Sequence, residues 1–386
     1  MFQPKIDRIE YGGAMIDQEE IDAIMNVIKS QGGRRWTIGQ ESVAFEKELA
    51  EKIGVKRAVV VNSGSSALLI AVASLKLPKG TRVAIPAVNF PTAFNAILQN
   101  GLVPYVVDVD IQTLNLDLDK LAELVQVEKL GAVIAVNIAG NPVDYPRLRQ
   151  IVGDDVYIIC DNCDGSGTTL NGKYIDTYAD ISCVSFHAAH IITMGEGGAI
   201  LTDNDKIADT ALKMREWGRA SGTDNIYKYP GFPNDYKERY VYEEIGYNLK
   251  PLELQCAMGR VQLKKLEQFV EARRNNYNKM RLIFEKYPQK FTLMQHIGEP
   301  CWFSFPFLCS GVERSKVMDE LESNNIECRT IFSGNITRHP AYKDVEFETM
   351  PIINADIVMR DGMFLSVHPS ITNEMIEFID QVISKI

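Results

Sequence analysis

The segment VVVNSGSSALLIAVASL, residues 59–75, places small hydroxyl residues and a glycine between a predicted strand and a predicted helix. The strand ends at Asn62. Free N–H groups at the start of the following helix, together with the positive end of its dipole, can bind a phosphate. A well-capped helix without any ligand gives the same pattern. Alone, the motif therefore indicates a phosphate site only weakly.

An aspartate follows directly on a buried strand in the segment IICDNCDGSGTT. Open α/β sheets bind ligands at the carboxyl ends of their strands, where Asp161 lies. A carboxylate there is partly desolvated unless a cation compensates, and a protonated ring nitrogen of a ligand would be such a cation. The alternative is an aspartate that caps the turn, which composition alone favours.

The segment SFHAAHIITMGEGGAILTDN, residues 185–204, has Ser185 at the end of a strand and a GEGG turn that glycine tolerates best. No lysine occurs between Lys173 and Lys206, and His190 lies in the middle of the turn. A lone histidine in such a place is more often structural than catalytic. No GxGxxG motif opens a helix after a strand, no P-loop motif occurs and no His/Cys spacing matches a zinc site, so nicotinamide, P-loop and zinc chemistry lose support.

Strands and helices that alternate along the chain must bring these three segments together. From about residue 57 onward, short β-branched runs alternate with stretches of helical periodicity, which is typical of a mostly parallel sheet covered by helices on both faces. The predicted strands are 57–62, 82–86, 104–110, 132–137, 156–160, 180–186 and 198–203. We therefore expect an α/β fold with a seven-stranded sheet.

A chain of 386 residues is too long for one compact domain, and we expect two. The amphipathic segment 253–287 repeats apolar residues at helical spacing and carries the chain out of the first domain. Beyond it, CWFSFPFLC at 301–309 alternates like a strand. The prediction is a large domain with an N-terminal arm at 1–265, followed by a linker helix and a smaller α+β domain at 266–386.

Composition restricts the class of protein. A formal net charge of -10 argues against a nucleic-acid or anionic-membrane footprint, although local backbone amides can still bind a phosphorylated ligand. The seven cysteines are an odd number in mostly apolar contexts, which indicates reduced core thiols and a reducing compartment. The N-terminus has no apolar leader, and no apolar run approaches the roughly 18 residues of a spanning helix. We expect a cytoplasmic protein.

Taken together, the motifs resemble the sugar aminotransferase family named after DegT, DnrJ, EryC and StrS. Segments in matching order cover nearly the whole chain: NSGSSAL, PAVNFPTAFNAI, VDVDIQTLNLD, CDNCDGSG, SFHAAHIITMGEGGAI, EIGYNLKPLELQCAMGRVQL and RTIFSGNITRHPAY. The resemblance implies the aspartate-aminotransferase-like fold (fold type I) of enzymes that use pyridoxal 5'-phosphate (PLP). It also implies active sites shared across a homodimer.

The resemblance further assigns residues to the cofactor phosphate. Gly64 and Ser65 offer backbone and hydroxyl donors, Ser185 adds a hydroxyl, and Asn248 reaches the phosphate from the neighbouring subunit. Dimerisation thereby becomes part of the expected site.

The resemblance also assigns residues to the cofactor ring. Phe90 stacks on the ring, and Asp161 pairs with the protonated ring nitrogen so that the ring can accept electrons. Asp164, where many members carry Gln or Glu, lies near the ring hydroxyl.

His190 departs from the family pattern, because it stands where the family lysine binds the cofactor covalently. Imidazole cannot make that bond, so PLP, or its amine form pyridoxamine 5'-phosphate (PMP), should be held non-covalently. A neutral imidazole is a suitable general base near neutral pH. His187 is expected to have a supporting role against the cofactor or sugar. Arg329 is expected to bind a sugar diphosphate or the glutamate carboxylate, with an exposed structural arginine as the alternative.

The same substitution is typical of a branch of 3-dehydratases that act on nucleotide-linked 4-keto-6-deoxyhexoses. One version of the branch uses an iron–sulfur cluster on four cysteines, three of them between WGR and GYN, but residues 217–248 contain no cysteine. The implied version has no cluster, regenerates PMP from L-glutamate and acts on GDP-4-keto-6-deoxy-D-mannose on the route to colitose in surface polysaccharide.

Two alternatives stay open beside the dehydratase. One is amino transfer to a 4-keto sugar, and the other is a non-catalytic protein that binds cofactor or sugar nucleotide. No residue of the sequence distinguishes guanine from cytosine or thymine.

Overall fold

Strands and helices alternate along residues 2–30 and 36–386, the part of the chain that the computed structural model describes. The strands are β1 (Arg57–Val61), β2 (Arg82–Pro86), β3 (Val103–Val107), β4 (Leu130–Val136), β5 (Tyr157–Asp161), β6 (Thr169–Leu170), β7 (Lys173–Tyr174), β8 (Ile181–Ser185), β9 (Gly198–Thr202), β10 (Phe291–Leu293), β11 (Ser304–Cys309), β12 (Arg329–Thr330), β13 (Glu348–Thr349) and β14 (Gly362–Ser366). The helices are α1 (Gln18–Ser30), α2 (Gln40–Ile53), α3 (Gly64–Ser74), α4 (Pro91–Gln99), α5 (Leu118–Val127), α6 (Tyr145–Val152), α7 (Asp205–Arg215), α8 (Glu253–Lys264), α9 (Leu266–Phe284), α10 (Arg314–Ser323), α11 (Asn354–Asp361) and α12 (Asn373–Ile383).

The main sheet has the strand order β1-β9-β8-β5-β4-β2-β3-β13. Strand β9 is antiparallel to both of its neighbours, and every other neighbouring pair is parallel. All seven predicted strands are confirmed, but the sheet has eight. The additional strand, β13, is only two residues long and comes from the C-terminal part of the chain, so it is too short to show a hydrophobic period.

Helices cover this sheet on both faces, as the alternation predicts. Ile134 and Ile159 pack in a cluster with α3 and α4, whereas their neighbours Val133 and Ile158 pack in a second cluster with α5 and α6. Successive side chains of a strand point to opposite faces, so the two clusters lie on opposite sides of the sheet. Strands β1, β5 and β8 run in the same direction and present their carboxyl ends at one edge.

A second, four-stranded antiparallel sheet has the order β10-β11-β14-β12. The predicted strand at 301–309 is β11, and its apolar side chains form a core with α9, α10 and α12. Ile9 of the N-terminal arm joins this core and pairs with Ile326. The division of the chain at residue 265 stays a prediction.

The amphipathic segment 253–287 forms two helices, α8 and α9, rather than one. They are separated by Lys265, whose ammonium group donates to the Glu20 carboxylate at 2.8 Å. Among the described helices, none combines the length and the apolar character that a membrane crossing requires.

Candidate active site

A cavity of about 730 Å³ opens at the carboxyl edge of the main sheet and is closed on the other side by the C-terminal part of the chain. Nine of the ten predicted site residues line this cavity: Gly64, Ser65, Phe90, Asp161, Asp164, Ser185, His187, His190 and Arg329. We call Gly64, Asp161, Asp164, Ser185 and His190 the floor, and Phe90, His187, Arg329 and Phe332 the rim.

The turn between β1 and α3 forms one end of the floor. Ser63 caps α3 by accepting a hydrogen bond from the Ser66 N–H, and the helix begins at Gly64. A Cβ atom on Gly64 would lie 2.7 Å from the Cβ of Ser185 and 3.0 Å from the sulfur of Cys163. Only glycine lets the two strand ends approach so closely. The helix N-terminus and the Ser185 hydroxyl therefore face one small space, a geometry suited to a phosphate.

Asp161 lies at the end of β5 and is buried. Burial raises the pKa of its carboxyl group, while the thiol and the N–H of Cys163 act in the opposite direction. The Cys163 N–H donates to the carboxylate at 3.3 Å, and no cationic side chain of the described residues contributes to its pKa. A buried carboxylate of this kind favours a ligand that brings positive charge.

Asp164 is the second buried carboxyl group of the floor. Burial and the neighbouring Asp161 raise its pKa to about 8. One of its oxygens, Oδ2, is buried and has no hydrogen-bond partner among the described residues. Its other oxygen lies 3.8 Å from Nε2 of His190.

His190 closes the floor, with 17% of its side chain exposed. Its ring packs edge-on against Phe303, with 5.5 Å between ring centroids, and Nδ1 is buried without a hydrogen-bond partner in the described chain. Burial, and next the adjacent His187, lower the pKa of the imidazole to about 3. The side chain is therefore neutral at neutral pH and can accept a proton.

The rim is more exposed than the floor. Phe90 is 52% exposed, and its ring lies 6.3 Å from that of Phe332. The guanidinium group of Arg329 stacks over the Tyr11 ring at 4.9 Å and pairs with Glu327. His187 lies 3.9 Å from Glu196. These side chains can contact a large ligand that extends out of the cavity.

Asn248 is the predicted site residue that does not line the cavity. It is exposed, its backbone pairs with Glu216, and its side-chain oxygen accepts a hydrogen bond from Lys250. Its predicted role in a neighbouring subunit stays a prediction.

The sequence prediction missed several cavity residues, among them Tyr11, Cys163, Phe303 and Phe364. All seven cysteines are free, but Cys163 is only partly buried and lines the cavity, which differs from the expectation of core thiols. The sequence signal that could have identified Cys163 is its position two residues after Asp161. The three aromatic residues are distant in sequence and carry no local motif.

Proteins of a known family are similar to this chain over nearly its whole length. A model of the DegT/DnrJ/EryC1/StrS aminotransferase family matches residues 14–386. The chain is 35% identical to a dTDP-4-dehydro-2,6-dideoxy-D-glucose 3-dehydratase of Saccharopolyspora spinosa, over 98% of this chain and 86% of the relative. It is 33% identical to a GDP-4-keto-6-deoxy-D-mannose 3-dehydratase of Yersinia pseudotuberculosis, over 96% of each protein.

A solved structure shares the fold. It is a GDP-4-keto-6-deoxymannose-3-dehydratase with a trapped PLP-glutamate geminal diamine, 31% identical, with a TM-score of 0.88 over 97% of this chain and 99% of that chain. This similarity confirms the predicted fold class. The chain belongs to the DegT/DnrJ/EryC1/StrS aminotransferase family.

Proposed function

We propose that the cavity binds PLP and PMP without a covalent bond. Three observations on the described residues support the fit: the close approach at Gly64 places the start of α3 beside Ser185, the buried Asp161 has no cationic partner there, and Asp164 and His190 each have a polar atom without a hydrogen-bond partner. No lysine is among the described residues that line the cavity. The ring nitrogen of the cofactor can pair with Asp161, and its ring hydroxyl can pair with Asp164.

We infer further that the protein is a 3-dehydratase of a nucleotide-linked 4-keto-6-deoxyhexose. The observation that carries this proposal is His190, a neutral imidazole on the cavity floor where the family lysine would stand. The names of the relatives from Saccharopolyspora and Yersinia support the same reaction. When bound, PMP supplies an amine for the C4 ketone and a ring that accepts electrons while the C3–O bond breaks.

The residues of the chain have separate tasks in this reaction. Asp161 keeps the ring nitrogen protonated, and His190 takes a proton from the carbon that carries the cofactor amine. Asp164, whose Oδ1 lies 3.8 Å from Nε2, is placed to accept a hydrogen bond from the ring once it is protonated. Burial lowers the pKa of the imidazole to about 3 in the protein alone, and a phosphate anion bound in the same cavity would raise it and make the imidazole a stronger base.

The preferred substrate in this proposal is GDP-4-keto-6-deoxy-D-mannose, with L-glutamate as the donor that regenerates PMP and a dideoxysugar of surface polysaccharide as the end product. The glutamate adduct in the related structure and the name of the Yersinia relative support these choices. The name of the relative from Saccharopolyspora specifies a dTDP sugar. Nucleotide preference therefore has to be measured with both nucleotides.

The central experiment incubates the protein with PMP, L-glutamate and a panel of GDP-, CDP- and dTDP-linked 4-keto-6-deoxyhexoses. Loss of the C3 oxygen, detected by mass spectrometry, is the expected result. A product that gains an amino group and keeps all its other oxygens would instead identify an aminotransferase. No turnover of any substrate would indicate a binding protein.

A second experiment tests the mode of cofactor binding separately from turnover. Borohydride reduction in the presence of PLP should leave the native chain unlabelled on lysine. The matched variant His190→Lys should become labelled at residue 190, because it restores an amine at the family position. Lysine labelling of the native chain at the cavity would contradict non-covalent binding.

We also propose a homodimer in which Asn248 completes the cavity of the partner. His190→Asn and Asn248→Ala should each be inactive alone. When the two variants are mixed and exchange subunits, activity should return, because one of the two sites of a mixed dimer then has both native residues. The mass of the protein in solution gives the oligomeric state. A monomeric, fully active protein would exclude the shared site.

A further inference from the structure

Phe332, a residue of the rim, has a backbone conformation that phenylalanine rarely adopts. Its φ angle is 41°, in the left-handed region that glycine occupies at little cost and that a Cβ atom disfavours. A bulky residue keeps such a conformation only where the surrounding structure enforces it, and positions of this kind are frequent at ligand sites. The backbone at Phe332 therefore indicates a task beyond folding.

The turn that contains Phe332 is fixed by its neighbours. The Ser333 hydroxyl donates to the Asn89 carbonyl at 2.8 Å, and Nε2 of His339 lies 2.7 Å from the Ser333 carbonyl. Asn89 directly precedes Phe90, so these contacts attach the turn to the opposite side of the rim. They hold the backbone in its strained conformation and place the Phe332 ring edge-on to Phe90, at an interplanar angle of 73°.

The ring of Phe332 belongs to a group of aromatic side chains beside the floor. Phe332, Phe303 and Phe364 line the cavity and share a small recess of about 10 Å³ behind it. The Tyr11 ring lies 6.3 Å from that of Phe364, and the ring of Phe303 packs against His190. We call Tyr11, Phe303, Phe332 and Phe364 the aromatic wall. It borders the space next to the proposed base, where the reacting sugar has to lie.

An aromatic wall suits the sugar of the proposed substrate. A 4-keto-6-deoxyhexose has a ketone at C4 and a methyl group at C6, so it carries fewer hydroxyl groups than an ordinary hexose. Its methyl and ring C–H groups form an apolar face, which an aromatic ring can cover and remove from water. Phe90 is already assigned to the cofactor ring, whereas the aromatic wall has no assigned ligand.

We propose that Phe332 is a substrate-binding residue, held in a strained conformation so that its ring, with the rest of the aromatic wall, packs on the apolar face of the sugar. The identity of this sugar rests on the proposed function. A phenylalanine that only packs on the protein core would contribute to stability and leave the affinity for the sugar unchanged.

Titration calorimetry of the protein loaded with PMP tests this proposal without turnover. The probes are GDP-L-fucose with GDP and dTDP-L-rhamnose with dTDP, because these 6-deoxyhexoses have no ketone with which the cofactor amine can react. The ratio of the two Kd values in a pair isolates the effect of the sugar. Phe332→Ala should raise the ratio of sugar nucleotide to free nucleotide about tenfold, the loss of one aromatic contact. Phe332→Tyr should keep the ratio near the native value, and Kd for PMP should stay native in both variants.

Phe347→Ala is the matched control. Phe347 is also partly buried and packs on the same core cluster as Phe332, with its ring 5.9 Å from that of Phe94, but it does not line the cavity. Its substitution should lower the melting temperature without changing either ratio.

Glycine variants test the strain separately. Phe332→Gly should melt at a higher temperature than Phe332→Ala, because glycine relieves the positive φ. Phe347 has no positive φ, so Phe347→Gly should melt below Phe347→Ala. The same order at both positions would show that the backbone of Phe332 is not strained and would overturn that part of the proposal.

The other outcomes are distinct. An unchanged ratio in folded Phe332→Ala overturns the proposal, and so does an equal loss of PMP affinity, since the ring would then bind the cofactor. Failure of both Phe332→Ala and Phe332→Gly to fold also overturns it, because the role would be structural. Absence of sugar-nucleotide binding by the native protein overturns it as well, and turnover of the substrate panel then decides the proposed function separately. An aminotransferase product from that panel would overturn the dehydratase and leave the role of Phe332 in sugar binding intact.

Discussion

Two histidines three residues apart show how differently the floor and the rim of the cavity are built. The side chain of His190 is 17% exposed, packs on Phe303 and approaches Asp164, whereas that of His187 is 45% exposed and approaches the exposed Glu196. Electrostatic interactions are strong where water is excluded and weak where it is present. The floor therefore sets protonation states, while the rim can affect mainly which ligand binds.

Replacement of His190 by Asn should have the largest effect. The amide fills similar space but cannot accept the proton, so we expect kcat to fall about a thousandfold. The rise in melting temperature on addition of PMP should stay as in the native chain. The control is His296→Asn, because His296 is exposed and does not line the cavity. A kcat within about tenfold of the native value would place the base elsewhere and end the contrast between the two histidines.

Asp161→Asn should have the next largest effect, a loss of about a hundredfold in kcat, because the ring nitrogen loses its anionic partner. The cofactor-free protein should respond in the opposite sense. Burial raises the pKa of Asp161 above its usual 3.8, so the folded state holds this proton more tightly than the unfolded chain. The stability from this group is complete below that usual pKa and is lost as pH rises through the raised pKa.

The Asp161→Asn variant should therefore have a higher melting temperature than the native chain at neutral pH without cofactor, and a smaller rise when PMP is added. Both differences can be measured by thermal unfolding. If the substitution lowered the melting temperature of the cofactor-free protein and left the response to PMP intact, Asp161 would be a structural residue of the turn.

Most floor residues could be predicted from the sequence because they lie at the ends of strands, which the hydrophobic pattern locates. Gly64, Asp161 and Ser185 each follow or end a predicted strand, and parallel strands bring their ends to one edge. The pKa of Asp164 was not predictable, since it depends on burial and on Asp161 together.

Phe303 could not be predicted either. Its ring packs against His190 from a segment that is far along the chain, and it belongs to no motif. The same reason explains β13, whose two residues pair with β3 from a distance of more than two hundred residues in sequence. Hydrophobic periodicity indicates local secondary structure and carries no information about contacts between distant segments.

Gly64→Ala should have a moderate effect at the border of the floor. A Cβ atom 2.7 Å from that of Ser185 forces one strand end to move, which we expect to lower PMP affinity about tenfold and to destabilise the protein by about 1–3 kcal/mol. Gly222→Ala is the matched control, because a Cβ there meets nothing within 4 Å. Equal PMP affinity in the two variants, measured by titration calorimetry, would show that the close approach at Gly64 is not a phosphate cradle.

Arg329→Ala should have the smallest effect and addresses the rim. The guanidinium group is exposed, stacks on Tyr11 and pairs with Glu327, so a contact to a ligand anion is worth about 1–2 kcal/mol. We expect KM for either the sugar nucleotide or glutamate to rise about tenfold while kcat stays unchanged, since binding without a change in the chemical step alters KM alone. The control is Arg8→Ala. Arg8 also contacts Glu327, at 3.3 Å, but it does not line the cavity. If both KM values stayed native, Arg329 would be a structural arginine. If kcat fell as strongly as in His190→Asn, the rim would take part in the chemistry, and the division between floor and rim would be wrong.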